Sequence, residues 1–402
     1  MRVLLLSNKF PFPENDGSSI AIGSSIRALL SAGAKVELLS LNTKKHYKDP
    51  RSLPPEILGD FRISAIEANT DITPFGALAN LISGKPYHIS RFDNSNFREV
   101  LDKRLMDDPP DIVMMEGLFM APYLEQVRQR CPDSKVVLRA HNIEHRIWER
   151  QLSLEPSGLK KSYLGLQVKR LRKYEKHICS HFDAILPITI HDLHFFEKVA
   201  PKADLHVFPS GFDPDKYPFL GVSNNHGFSL ASMDWIPNRA GMKWFLEDVW
   251  PLVIEALPQA KILFAGRNMP VDYMQMKLTG VEIQGEVDDA VEMYSQYGIQ
   301  VVPLLSGSGM RVKIMEGLAY GKVIISTVVG AEGIDAAEED GLFRAENPHT
   351  FAKKLIRLMS GDHDLQELGK RARERALKVY SNPVIGEKLM NFFRHILDGH
   401  SI

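Results

Sequence analysis

The chain has 402 residues, enough for two cores at roughly 100–200 residues per domain. Hydrophobic residues make up 44% and charged residues 25%, the balance of a soluble globular protein. Lys and Arg total 49 against 50 Asp and Glu, so the net charge of −1 excludes a global field suited to nucleic acid, and an anionic ligand must be held locally.

MRVLLLSNKF opens with a single Arg and a short apolar run that Asn8, Lys9 and two prolines end. It reads as a first β-strand and not as a signal peptide. Further short apolar runs follow at VELLS (36–40), IVMME (112–116), VVLRA (136–140), AILPI (184–188) and LHVFP (205–209), separated by stretches of helical periodicity. Such runs read as parallel strands buried on both faces. The plan repeats with FSLAS (228–232), ILFAG (262–266), VEIQG (281–285), IQVVP (299–303), VIIST (323–327) and LFRAE (342–346). Two successive doubly wound α/β domains are predicted, hinged at the turn-rich segment 209–227 with the boundary near Pro218. A closing helix is expected over 384–397.

No stretch of about 18 consecutive apolar residues occurs, so no transmembrane helix is predicted. Cys131 and Cys179 lack CxxC spacing and neighbouring histidines, which points to neither a disulfide framework nor a zinc site and fits a reduced cytoplasmic setting. Residues 159–182 form a long helical pattern with Leu164, Val168, Leu171, Ile178 and Phe182 on one side. The other side carries Lys161, Lys169, Arg170, Arg172, Lys173 and Lys176, opposed in that stretch by Glu175. That side is either an ordinary solvated face or a patch for an anionic membrane surface.

Ligands in open parallel sheets bind outside the carboxyl ends of the strands, which singles out three places. In the loop 8–26, Gly17 and Ser18 lie where a helix begins, a position that suits an anion; alternatively Asp16 and Ser18 merely cap that helix. His141 directly follows a strand, with Glu116 ending another, and an imidazole there can hydrogen-bond a substrate hydroxyl. The third place is SGSGMRVKIMEG (306–317), where Gly307 and Gly309 permit a tight turn that exposes N–H groups ahead of a helix starting near Met310. Arg311 and Lys313 supply cationic donors for a diphosphate, and Glu316 can accept from vicinal hydroxyls such as a ribose diol. The plainer alternative is a Lys313–Glu316 surface pair with Val312, Met315 and Ala319 facing the core.

With these motifs in order, the chain resembles the retaining GT-B glycosyltransferases of glycosyltransferase family 4, the group 1 sugar transferases. The resemblance rests on DGSS (16–19), RAHN with His141, PSGFD (209–213), SMDWIPN (232–238), Glu316 followed by GLAYGKVIISTVVGAEGI (317–334), and YSN (380–382) before the closing helix. It implies two Rossmann-like domains facing across an interdomain cleft: 1–218, with a crossing helix at about 384–402, for the acceptor, and 219–383 for a nucleotide sugar. Glu316 is then expected to hold the ribose, Ser308, Gly309, Met310 and Arg311 the diphosphate and sugar, and Gly285 to Val287 to lie near the base. His141 and the Gly17 loop are expected to face the donor sugar.

Two departures from the family pattern stand out. Counting back eight positions from Glu316 reaches Ser308 where the family has a Glu, and Arg239 and Lys243 lie outside the family's usual cationic positions. The resemblance implies metal-independent transfer with retention, from a nucleoside-diphosphate sugar to a hydroxyl of a glycan, glycolipid or small molecule. It also implies a cytoplasmic protein that can sit on the inner face of a membrane. The competing readings are a GT-B-type nucleotide-sugar epimerase and a non-catalytic nucleotide- or glycan-binding protein.

Overall fold

The computed structural model describes residues 1–14, 16–44, 47–50, 61–307 and 309–399. They divide into two compact units, one of 1–211 with 382–402 and one of 212–381. The unit boundary therefore falls ahead of Pro218. Phe212 N–H donates to the Tyr380 carbonyl (2.9 Å) and Phe212 bridges Ser381, which ties the start of the second unit to its end.

In the first unit the described residues form a sheet of seven strands. They are β1 (Arg2–Ser7), β2 (Lys35–Thr43), β3 (Arg62–Ala68), β4 (Ile112–Glu116), β5 (Lys135–Ala140), β6 (Ala184–Pro187) and β7 (Asp204–Leu205), all parallel in the order β3-β2-β1-β4-β5-β6-β7. Successive side chains of a strand face opposite ways. Accordingly Leu4, Leu6, Val113 and Met115 enter one core and Val3, Leu5, Ile112 and Met114 the other. Burial on both faces is why these strands read as unbroken apolar runs.

Two strands depart from the sequence reading. RISAIEA (62–68) forms the edge strand β3, whose partly exposed, mixed pattern lacks an apolar run. The run 205–209 is regular strand only to Leu205, although His206 and Phe208 N–H still donate to the Ile185 (3.3 Å) and Pro187 (2.8 Å) carbonyls of β6; beyond them Arg139 takes the Phe208 carbonyl (3.0 Å) and Pro209 has no N–H.

The helices that matter for the site are α1 (Gly17–Ser31), α2 (Pro74–Ser83), α3 (Glu144–Leu154) and α4 (Leu159–Cys179). On α4, Leu164, Val168 and Leu171 face the core. Glu175 does not oppose the basic side: it is buried, and its carboxylate accepts from the backbone N–H of Glu144 (2.8 Å) and of His145 (3.0 Å). It thereby satisfies two N–H groups that α3 leaves open at its start. Arg172 instead pairs with Glu149 of α3.

In the second unit the described strands are β8 (Gly227–Leu230), β9 (Ile262–Ala265), β10 (Val281–Ile283), β11 (Ile299–Val302), β12 (Val323–Thr327) and β13 (Leu342–Ala345). All are parallel, in the order β10-β9-β8-β11-β12-β13. Here α5 (Ile236–Trp244) follows β8 and α6 (Val312–Ala319) follows β11. The closing helix α7 (Asn382–Leu397) packs on α1 in the first unit. Ser24 of α1 donates to Asn382 (3.4 Å) and accepts from Gly211 N–H (2.6 Å). Among the described residues no helix is long and apolar enough to cross a membrane.

Candidate functional site

In the first unit the carboxyl ends of β1, β4 and β5 bring Ser7, Glu116 and Arg139 into register. Glu116 and Arg139 are fully buried. His141, just past β5, places Nε2 2.6 Å from Glu116 Oε2, so the ring N–H donates to the carboxylate. Arg139 Nε lies 3.7 Å from the same oxygen, and its guanidinium sits 4.1 Å over the Phe208 ring. Burial lowers the Arg139 pKa to about 10, with the Glu116 charge opposing the shift. A buried carboxylate held between a guanidinium and an imidazole fixes the ring plane. The other ring nitrogen, Nδ1, lies 3.5 Å from Ser18 Oγ.

Asp16 is the N-cap of α1. Its carboxylate accepts from Ser18 N–H (3.0 Å) and Ser19 N–H (3.1 Å) and pairs with Lys9. Partial burial pushes this carboxyl up, but the Lys9 and Ser19 hydrogen bonds outweigh it and hold it below its ordinary value. Two first-turn N–H groups are therefore already taken by the chain's own anion, the capping alternative of the sequence reading. Gly17 is exposed and Ser18 half-buried at this turn.

The second unit has the opposite arrangement. Arg311 is the N-cap of α6; its side chain does not cap the helix, and the first turn holds no acidic residue to meet the positive helix end. Gly307 (φ 138°) and Gly309 (φ 76°) turn the chain into this helix. A Cβ at Gly307 would stand 2.5 Å from Arg311 Nη2 and 3.1 Å from the Trp235 ring. The guanidinium packs into that gap, 5.7 Å from the Trp235 ring centre, and Nη1 donates to the Gly309 carbonyl (2.8 Å). Met310 packs against the core below, and Ser308 lies outside the described residues.

Lys313 Nζ donates to Asn238 Oδ1 (3.2 Å), and Asn238 Nδ2 donates to the Ser232 carbonyl (2.7 Å), so α5 and the end of β8 orient the ammonium. Burial lowers the Lys313 pKa to about 8, helped by the neighbouring Arg311 charge and opposed by Glu316. Glu316 accepts from Tyr217 OH (3.0 Å); burial raises its pKa against the Tyr217 hydrogen bond and Lys313. This is no plain Lys313–Glu316 surface pair: each side chain has a distant partner that holds it. Tyr320 lies 5.1 Å from Tyr217 and 4.6 Å from Tyr294 between ring centres, an aromatic shell around the carboxylate.

Gly285 and Val287 follow the edge strand β10, which β9 and β8 separate from β11. Gly285 accepts from Gly266 N–H (2.9 Å), while Val287 packs on the cluster that contains Tyr294 and Tyr320. The structure thus gathers Gly309, Met310, Arg311, Lys313 and Glu316 at one strand end, with Val287 joined through aromatic packing. Sequence reasoning missed Tyr217, Trp235 and Asn238; SMDWIPN and the turn-rich segment 209–227 were the signals available. Asn268 adds to this rim in a left-handed conformation (φ 55°), donating to Asp234 (2.6 Å).

Among the described residues no group of three His, Cys, Asp or Glu could hold a metal ion. A cavity of about 650 Å³ lined by Arg2, Lys35, Glu37 and Arg62 lies at the amino ends of β1 and β2, the end of a parallel sheet that ligands rarely use.

Residues 227–361 match the family model described as glycosyl transferases group 1. A relative from Klebsiella pneumoniae, described as an uncharacterized 44.6 kDa protein in the cps region, is 21% identical over 381 residues, covering 91% of this chain and 93% of the relative. Among solved structures, sucrose-phosphate synthase from Thermosynechococcus elongatus is similar with a TM-score of 0.69 and 14% identity, over 99% of this chain and 100% of that one. TarM from S. aureus, in a complex that includes UDP, gives 0.64 at 12% identity, over 98% of this chain and 100% of that one. HepE from Anabaena in complex with UDP gives 0.60 at 13%, over 98% and 100%. The chain thus adopts the GT-B fold, and within its second unit residues 227–361 are similar in sequence to the group 1 glycosyl transferases.

Proposed function

We propose that the chain is a metal-independent, retaining glycosyltransferase of glycosyltransferase family 4. In this reading it moves a sugar from a nucleoside-diphosphate sugar to a hydroxyl acceptor in surface polysaccharide or glycolipid synthesis. The observation that carries it is the start of α6, where the positive helix end, Arg311 and Lys313 converge just ahead of Glu316. Breaking the anomeric C–O bond builds negative charge on the leaving diphosphate. Fixed N–H dipoles and two cations stabilise that charge without reorganising. Glu316 accepts from the ribose diol, and the acceptor hydroxyl attacks from the face the diphosphate leaves, passing its proton to a leaving-group oxygen. His141, oriented by Glu116, donates to or accepts from a sugar hydroxyl.

The UDP complexes of TarM and HepE support a nucleoside diphosphate as ligand, and the relative from a cps region supports the polysaccharide setting. We place the protein in the cytoplasm, with the basic side of α4 on the inner face of an anionic membrane. An epimerase needs carboxylates free to move a proton at the sugar, and Glu116 is instead committed to His141 and Arg139.

The test is a thermal-shift panel of UDP, GDP, ADP, TDP and CMP with their sugars, repeated on Arg311→Ala and Glu316→Ala. A ligand of the folded state raises its stability with the logarithm of concentration over Kd. One nucleotide is expected to raise Tm in the parent and far less in both variants. No response to any nucleotide, or equal responses in the variants, rejects the donor site.

A further inference from the structure

On the surface of the first unit, α2 has the sequence PFGALANLIS, without a charged side chain, yet Ile82 is 93% exposed and Leu78 65% exposed. Leu81 and, just ahead of the helix, Ile72 are exposed as well. The outer face of a helix on a soluble protein is ordinarily polar or charged. Contiguous exposed aliphatic surface marks a contact with something apolar.

What borders the ridge identifies that contact. The Arg170 guanidinium of α4 donates to the carbonyls of Asn80 (3.0 Å) and Leu81 (2.8 Å), and Gln167 donates to Asn80 Oδ1 (3.0 Å), so the carboxyl end of α2 is fastened alongside α4. Stepping three and four residues along α4 from this anchor gives Leu159, Leu166, Arg170 and Lys173 on one side, with Leu159 91% exposed. Lys169 and Lys173 are exposed there, and Lys85 is exposed just after α2. Nearby, Glu155 is already paired with Lys160 (2.7 Å), and the exposed Asp71 lies just ahead of the ridge.

We infer that α2 is an interfacial anchor: its aliphatic ridge enters the acyl boundary of an anionic phospholipid bilayer while Lys85, Lys169 and Lys173 meet the headgroups. The inference rests on the reading of α4 as the membrane-facing segment and adds the apolar contact that charge alone does not supply. Basic residues flanking a partly immersed apolar helix face combine area burial with attraction to anionic lipid. A second copy is a poor occupant, because a two-fold pairing lays a patch on itself and would oppose the same lysines.

The test uses the full chain with vesicles of phosphatidylglycerol and phosphatidylethanolamine, against phosphatidylcholine alone. Binding is expected to the anionic vesicles only. Leu78→Ser/Ile82→Ser should weaken it about tenfold at unchanged Tm, and Lys169→Glu/Lys173→Glu should abolish it. In Ile82→Trp the indole emission should shift to the blue on adding anionic vesicles and be quenched by brominated acyl chains. If charge reversal abolishes binding while Leu78→Ser/Ile82→Ser and the Ile82→Trp emission show no effect, α4 docks by charge and the anchor is wrong. If no variant matters, or the parent ignores the vesicles, both readings fail. A concentration-dependent dimer that Leu78→Ser/Ile82→Ser breaks, with no vesicle binding, assigns the ridge to a second copy and overturns the anchor.

Discussion

Glu116 ends β4, His141 follows the neighbouring strand β5, and the two meet at 2.6 Å, with the carboxylate fully buried and Arg139 Nε 3.7 Å from the same oxygen. The imidazole is therefore held from behind. Glu116→Gln keeps the volume but removes the anion shared by the ring and the guanidinium. Leaving Arg139 buried without it should cost about 3 kcal/mol of stability, read by urea denaturation. The loosened imidazole should lower turnover about a hundredfold at saturating donor. A variant with parental turnover would show that His141 does not depend on this carboxylate.

In the proposed function, Lys313 gives the donor site a pH dependence. Its folded-state pKa of about 8 lies below the ordinary 10.5, with burial as the main cause. In the free protein the ammonium is lost as pH rises through about 8, whereas the unfolded chain keeps its proton to about 10.5. The unfolded state thus binds more protons in that window, so this group makes folding stability rise between the two values. Binding has the opposite sign, since a diphosphate favours the charged lysine. Its Kd should be flat below about pH 7 and weaken by up to about tenfold per pH unit above 8. Calorimetry in buffers of different ionisation enthalpy should show proton uptake on binding near pH 8.5. Lys313→Gln should abolish both the slope and the uptake.

Gly317 and Gln300 are coupled through space. A Cβ at Gly317 would stand 1.9 Å from Gln300 Oε1, while Gln300 Nε2 donates to the Tyr294 hydroxyl (3.2 Å) and the Lys313 carbonyl (3.1 Å). Gly317→Ala should therefore destabilise by about 1–3 kcal/mol through a clash between α6 and β11. Gln300→Ala should remove much of that penalty, so the double variant should be more stable than the sum of the single changes. Strict additivity in denaturant melts would contradict the clash.

The centre of each sheet was legible in the sequence because strands covered on both faces are mostly apolar, as in IVMME and IQVVP, with the buried Glu116 and Gln300 as hydrogen-bonded exceptions. RISAIEA was not, since at the sheet edge its two faces are only partly covered and it carries a mixed pattern. The cations and carboxylate after β11 were legible because they lie within one turn and its helix. Their partners were not: Tyr217 lies 99 residues from Glu316 and Asn238 lies 75 from Lys313, distances that only the fold closes. The inward direction of Glu175 was hidden for a related reason, because its partners sit about thirty positions away on α3. Periodicity places a residue on a helix side without saying what waits there.

The return of α7 to the first unit has a consequence for synthesis. Residues 212–381 are one unbroken stretch, whereas the first unit is completed by residues that follow them. Ile385, Leu389 and Phe393 of α7 belong to the same buried cluster as Ile22 and Ile26 of α1. As the chain leaves the ribosome, the second unit can close its core as soon as Ser381 has emerged, while the first waits with part of α1 uncovered. The excised segment 212–381 should accordingly melt cooperatively on its own. A chain stopped at Ser381 should expose apolar surface to a hydrophobic dye and engage chaperones until 382–397 are supplied.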